Sequence, residues 1–258
     1  MNNNIPISTQ WLLDAVGDTG RNSVSSVFII ICPKTSAKGT GFLTDKGYII
    51  TNEHVIRGCS ADEIVAIASD GKQVTFQTLV FDLQADLAAL TPIQMLTGGL
   101  KISTDKIEIG TKVNTWGHPL GYNGPAPILS VGYIAGFREN QNSQGYKTIK
   151  HIVINGAFNP GNSGGALFKA GSDEVIGVVV AKHAPFPDSI MSGLQALANN
   201  QSGLQFQATD SQGKNINVSE SQIIAMFLDH LRKLAQVNIG EAISATDLTD
   251  FLTTYKLI

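Results

Sequence analysis

The 258-residue chain predicts an all-β fold with peripheral helices, built as two barrels. Three observations carry this reading. Apolar runs are short and broken by turn residues, with glycine at 26 positions, which is the rhythm of barrels and not of alternating strands and helices. The runs fall into two series separated by a looser connector, roughly 92–108, so each series suggests its own barrel. Helical patterning is confined to the start of the chain and to the stretch after Pro187. A hydrophobic content of 43% with 15% charged residues suits a substantial core.

Residues 1–22 read as a polar N-terminal extension with a short helical piece at 9–16, where Trp11, Leu12 and Val16 share a face. The first barrel, about 23–97, takes strands at 24–32, 41–44, 48–51, 64–68, 74–81 and 87–90. Asp45-Lys46-Gly47 and Ser69-Asp70-Gly71-Lys72 supply reversing turns. The second barrel, about 108–187, takes strands at 112–116, 128–137, 147–154, 166–168 and 174–181. Residues 188–237 form an insertion whose main element is an amphipathic helix at 219–236. Ser219 and Gln222 form its capping box, and Ile224, Phe227, Leu228, Leu231 and Leu234 form its apolar face. Arg232 and Lys233 fall in its last turn, where the helix dipole favours cations. A closing segment, 238–258, ends in a helix at 246–255, preceded by Ser244 and with Asp247 in its first turn.

A formal charge of −3 without a basic stripe excludes nucleic acid as the main partner. The longest apolar run, 27–32, is too short to cross a bilayer, so no membrane association is expected. The first residues show no basic stretch followed by an apolar one, hence no secretory signal, and a cytoplasmic protein is expected. Cys32 and Cys59 lack metal spacing; they could bridge, but two thiols in a chain of this length more often stay buried or free, and that is the expectation. The five histidines are scattered, and no phosphate-cradling or dinucleotide motif is present, so neither metal nor cofactor is expected. His118, in a turn, and His151, in a strand, read as structural.

The chemistry lies elsewhere. A serine hydroxyl is a weak nucleophile until a base takes its proton, a carboxylate orients that base and N–H groups receive the oxyanion. Ser163 lies in Gly161-Asn162-Ser163-Gly164-Gly165, where glycines permit a tight turn with converging N–H groups, those of Gly161 and Ser163; a plain Gly-rich turn is the lesser reading of the stretch taken alone. His54 follows the strand at 48–51, at a strand end where loops carry function, although a lone histidine there is more often structural. Asp86 leads directly into an apolar strand; Asp82 is a rival that does not. The order His54, Asp86, Ser163, with base and acid in the first half and nucleophile in the second, is that of the chymotrypsin type. Gly161-x-Ser163-x-Gly165 also fits the nucleophile elbow of α/β-hydrolases. That fold needs a helix directly after the serine, and here Ala166-Leu167-Phe168 leads to another glycine and a second strand.

These motifs resemble the protease domain of the HtrA branch of trypsin-like peptidases. Gly39-Thr40-Gly41-Phe42-Leu43 with Gly47-Tyr48-Ile49-Ile50-Thr51-Asn52-Glu53-His54-Val55 resembles that family's glycine hairpin and histidine motif. Asp82-Leu83-Gln84-Ala85-Asp86-Leu87-Ala88-Ala89-Leu90 resembles its acid motif, whose second Asp belongs to the triad. Trp116-Gly117-His118-Pro119-Leu120-Gly121, Asn159-Pro160-Gly161-Asn162-Ser163-Gly164-Gly165 and Val175-Ile176-Gly177 are similar to its inter-strand turn, nucleophile loop and following strand, and Ile239-Gly240-Glu241-Ala242-Ile243 to its closing segment. The resemblance implies a chymotrypsin-like double barrel and a serine endopeptidase acting through an acyl-enzyme on protein or peptide substrates.

It also implies a primary pocket built from Ala157, Phe158 and Ala181-Lys182-His183. No acid stands at Ala157, the position that pairs with basic side chains in trypsin-type pockets, so small or medium apolar residues are expected before the scissile bond. Lys182 or His183 would instead favour acidic ones. The chain departs from the family in lacking a following PDZ module, in the insertion 188–237 and in Glu53 beside His54, which either raises the basicity of the imidazole or faces solvent. Cys32 and Cys59 do not fall where secreted trypsins pair their cysteines near the histidine, so that disulfide is not implied. The insertion is expected to dock a regulatory protein partner or shield the cleft. The competing reading is an inactive trypsin-like fold that binds peptides or proteins.

Overall fold

A computed structural model describes residues 10–122, 126–141, 148–180, 188–209, 213, 215–234 and 239–258. The chain divides into two compact units, one of residues Met1–Ala181 with Asn238–Ile258 and one of Lys182–Val237.

The larger unit opens with helices α1 (Gln10–Ala15) and α2 (Asp18–Ser25). Val24, expected to begin a strand, lies in α2, where it is fully buried and packs in one cluster with Leu12 and Val27. Its apolar character serves the inner face of a helix. The first barrel-like sheet then forms from β1 (Val27–Cys32), β2 (Ala37–Leu43), β3 (Ile49–Thr51), β4 (Val65–Ala68), β5 (Gln73–Val74), β6 (Phe76–Asp82) and β7 (Leu87–Pro92). Its order is β5-β4-β1-β2-β3-β7-β6, antiparallel throughout, with the four-residue helix α3 (Glu53–Ile56) directly after β3. β1 is an interior strand and apolar at every position, with Val27, Phe28, Ile30 and Cys32 buried and Ile29 and Ile31 half-buried.

The second sheet closes as a barrel, β10-β15-β12-β11-β8-β9. Its strands are β8 (Lys112–Gly117), β9 (Ile128–Gln141), β10 (Thr148–Gly156), β11 (Ala166–Lys169), β12 (Val175–Val180) and the returning β15 (Ile239–Ser244). Phe28, Ile30, Ile49, Ile64 and Phe76 fill the first barrel; Val113, Ile152, Leu167, Val179 and Ala242 fill the second. A further cluster, with Phe42, Ile50, Leu87, Trp116, Phe168 and Val178, joins residues of both. The final helix α6 (Ala245–Thr254) adds Leu248, Phe251 and Leu252 to it. Ser244 caps that helix, its Oγ accepting the Asp247 N–H at 3.2 Å, and an Asp247 oxygen accepts the Lys150 N–H at 3.0 Å. His151, on β10, is 3.3 Å from a Glu241 oxygen that also accepts from Arg138 at 2.7 Å, a structural cross-link.

The smaller unit contains α4 (Asp188–Asn199), the hairpin β13 (Gln205–Thr209) with β14 (Asn215–Ser219), and α5 (Glu220–Leu234). The capping box forms as expected: Gln222 N–H donates to Ser219 Oγ at 3.2 Å, and Ser219 N–H to Gln222 Oε1 at 2.9 Å. Ala225 is the buried side of α5, whereas Ile224, Phe227, Leu228 and Leu231 stay 39–60% exposed; the side chain of Leu234 lies outside the described residues.

Cys32 and Cys59 are not free thiols. They form a disulfide, with Cα atoms 6.0 Å apart. Cys32 ends β1 and Cys59 follows α3, so the fold stacks two positions that are separated by 27 in sequence. A crosslink over such a loop stabilises mainly by restricting the unfolded chain, by about 3 kcal/mol. Reduction, or Cys59→Ser, is expected to lower the unfolding free energy by that amount in urea titrations; an unchanged midpoint would contradict it.

Candidate active site

His54 sits on α3, the short helix that leaves β3. Its Nδ1 is 2.8 Å from Asp86 Oδ2 and 3.0 Å from Oδ1, and its backbone N–H donates to the same Oδ1 at 3.0 Å. A carboxylate facing Nδ1 keeps the proton there and leaves Nε2 as the basic nitrogen. Asp86 is thus the acid that meets His54, held both to the ring and to the backbone beneath it.

That geometry needs an unusual backbone. Asp86 has φ 53°, a left-handed conformation that costs a non-glycine residue on the order of 1 kcal/mol or more. Two neighbours hold it. Asn52 Nδ2 donates to the Asp86 carbonyl at 2.8 Å, and Asp82 Oδ1 accepts the N–H groups of Gln84 and Ala85 at 2.8 and 3.0 Å. Asp82 therefore builds the turn that presents Asp86.

Ser163, 4% exposed, lies beyond a tight turn of the second barrel. Asn162 N–H donates to the Asn159 carbonyl at 3.0 Å, with Pro160 second and Gly161 third in the turn at φ 97°. This is a type II turn, which needs a positive φ at its third residue. The Pro160 carbonyl accepts the Leu120 N–H at 2.7 Å. Because the peptide is trans, the Gly161 N–H points the opposite way, and it meets no acceptor among the described residues. Side chains are forbidden here: a Cβ on Gly161 would stand 2.4 Å from the His118 carbonyl oxygen.

The serine loop is pressed against the first barrel. Ser163 O accepts the Thr40 N–H at 2.8 Å, and a Cβ on Gly164 would lie 2.2 Å from both Thr40 O and Thr51 Oγ1, and 3.0 Å from Asn52 N. The loop bearing Ser163 thus abuts Asn52, the residue at the N-terminus of the His54 helix. His54, Asp86, Gly161 and Ser163 are brought to one junction between the barrels.

The expected pocket residues divide. Ala157 is half-buried. Phe158 is 2% exposed, its ring 3.0 Å from where a Cβ on Gly132 or Gly156 would stand, and a Cβ on Gly240 would sit 2.7 Å from its own Cβ. Its ring therefore belongs to the second barrel's core. Ala181, Lys182 and His183 lie outside the described residues.

Glu53 neither faces solvent nor reaches the imidazole. It is 3% exposed, and both its oxygens accept from Arg57 Nε, at 3.1 and 3.0 Å, with Nη2 2.5 Å from Oε2. That pairing raises the Arg57 pKa. Residues missed at the sequence level are Thr40, Asn52 and Asn162. Thr40 lies between Gly39 and Gly41, and two small residues flanking a hydroxyl are the one local sign of a close approach.

Residues 39–178 match the trypsin-like peptidase domain family. The chain belongs to that family. Protease Do-like 1, chloroplastic, of Arabidopsis thaliana is 37% identical over 156 residues, covering 57% of this chain and 34% of that protein. A probable periplasmic serine endoprotease DegP-like of Hahella chejuensis is 31% identical over 150 residues, covering 56% and 30% respectively. The chain thus spans about a third of the length of these HtrA/DegP relatives. Among solved structures, the Rv3671c protease in its inactive form aligns with a TM-score of 0.60 at 18% identity, covering 92% of each chain. The HtrA-type protease AlgW with a decapeptide aligns at 0.59 and 20% identity, covering 92% of this chain and 66% of that one. Both show the double-barrel fold. Among the described residues, no cluster of three or more His, Cys, Asp or Glu side chains would hold a metal ion, and no helix is long and apolar enough to cross a membrane.

His118 borders the turn and is 1% exposed, with neither ring nitrogen partnered among the described residues. Burial, helped by the charge of Lys38, lowers its pKa from 6.5 to about 4. The unfolded chain therefore takes up this proton first as pH falls. The contribution is complete above pH 6.5 and is lost toward pH 4, by up to about 3 kcal/mol. Urea unfolding at pH 7 and pH 4.5 is expected to show a smaller loss for His118→Gln than for the wild type; equal losses would refute this role.

Proposed function

We propose that the chain is a serine endopeptidase of the HtrA/DegP type, working through His54, Asp86 and Ser163. The observation that carries the reading is the doubly held His54–Asp86 pair beside a serine loop locked by glycine against the same barrel. His54 Nε2 takes the proton of Ser163 Oγ as the oxygen attacks a peptide carbonyl. Asp86 keeps the ring in the required tautomer and stabilises the imidazolium. The N–H groups of Gly161 and Ser163 receive the oxyanion, His54 then protonates the leaving amine, and water, activated by the same imidazole, hydrolyses the acyl-enzyme.

The absence of an acid at Ala157 supports a primary pocket suited to small or medium apolar side chains. The outward apolar stripe of α5 supports the docking of a regulatory protein on the insertion 188–237. The disulfide argues for an oxidising compartment, against the cytoplasm expected from the first residues of the sequence.

A fluorophosphonate probe is expected to label the folded protein at Ser163, and Ser163→Ala to abolish labelling and cleavage without loss of fold. Asp86→Asn should reduce kcat by about ten-thousand-fold, since the imidazole then takes the wrong tautomer. Unlabelled wild type would favour the inactive binding fold. Cleavage profiling in a peptide library should show small or medium apolar residues before the cut; dominant cutting after Arg or Lys would reject that pocket.

A further inference from the structure

Thr40 is a fully buried residue of the first barrel whose polar atoms reach both halves of the site. Its N–H donates to Ser163 O at 2.8 Å, and its carbonyl accepts from Thr51 Oγ1 at 2.8 Å. Its hydroxyl donates to the Gly161 carbonyl at 2.6 Å and accepts the His118 N–H at 3.2 Å. The backbone bonds would survive most substitutions. The hydroxyl bonds depend on a side chain the fold alone does not require.

We propose that the Thr40 hydroxyl is a positioning group that sets the oxyanion-binding peptide; this rests on the peptidase reading above. Type I and type II turns differ by a flip of their central peptide, here Pro160–Gly161. In the observed form the Gly161 N–H is offered on the face opposite Leu120. In the flipped form the Pro160 carbonyl would stand there and repel a developing negative charge. What opposes the flip is the Leu120 N–H on the Pro160 carbonyl. Thr40 determines whether Leu120 can hold that carbonyl. By bridging His118 N–H and Gly161 C=O, its hydroxyl clamps the 118–120 segment to the turn two residues from the Leu120 bond.

Removing the hydroxyl leaves the His118 N–H and the Gly161 carbonyl without that partner in a water-poor junction, which favours local rearrangement. The same strand position also accepts from Thr51, three residues before His54, so one residue registers the oxyanion turn against the histidine segment.

The test compares steady-state hydrolysis of a peptide substrate by the wild type, Thr40→Val and Thr40→Ser, with binding of a peptidyl boronate and of a non-reactive product peptide. Thr40→Val should lower kcat by roughly tenfold to a hundredfold, with KM changed by less than about twofold. It should weaken boronate binding by a similar factor and leave product binding unchanged. Thr40→Ser, which keeps the hydroxyl, should lie within about threefold of the wild type in kcat. If Thr40→Val does not fold, Thr40→Ala takes its place in the same comparison. Wild-type kcat in the hydroxyl-free variant, or a defect equally large in Thr40→Ser, overturns the role of Thr40 and leaves the peptidase reading standing. A wild type without turnover or probe labelling overturns both.

Discussion

Everything at the candidate site depends on the backbone contact between β2 and the serine loop. Each barrel has its own core and the two share a third apolar cluster, but burial alone would let them slide by fractions of a residue at little cost, because apolar contact is non-directional. The Thr40–Ser163 hydrogen bond does not permit that. It is buried, so breaking it without replacement costs the full desolvation of both partners. The two 2.2 Å approaches at Gly164 allow this contact only to a residue without a side chain. A directional bond and a steric slot together fix the registry of the barrels to the precision that acyl transfer demands.

The neighbouring groups are arranged as supports for that registry. Asp86 occupies a left-handed conformation because Asn52 and the Asp82 turn hold it there, and Asn52 is also, with Thr40 and Thr51, among the residues against which Gly164 is pressed. The His54–Asp86 pair and the Ser163 loop therefore share a wall. Buried Glu53, the first residue of α3, is paired with the exposed Arg57 that follows the helix, so the ion pair spans α3 from end to end.

The parts legible in the sequence were those written in local pattern. Short apolar runs between turn residues mark most strands, and the glycines around Ser163, the strand before His54 and the acid opening β7 mark the site because their neighbours in sequence are also neighbours in space. What was hidden depends on distant partners. Val24, two serines before the apolar run 27–32, reads as the start of a strand yet belongs to α2, since its burial comes from Leu12 and Val27 and not from strand alternation. Cys32 and Cys59 reveal their pairing only when β1 and the end of α3 are stacked. Thr40 reads as one residue of a glycine hairpin until the second barrel arrives. In the smaller unit the capping box of α5 was readable, whereas its apolar face, ordinarily a sign of core, is turned outward because Ala225 takes the inner position.

The disulfide has a consequence for a proteolytic chain. It closes a ring that contains β2, β3 and α3, and so includes Thr40, Thr51, Asn52 and His54. A backbone clip anywhere within that ring, whether by another copy or by a foreign protease, leaves both pieces covalently joined. The severed ends stay tethered near their native positions, and the nicked molecule migrates as a single chain until a reductant separates it. The first-barrel residues that reach the serine loop thus lie on the one stretch of backbone that a single cut cannot detach.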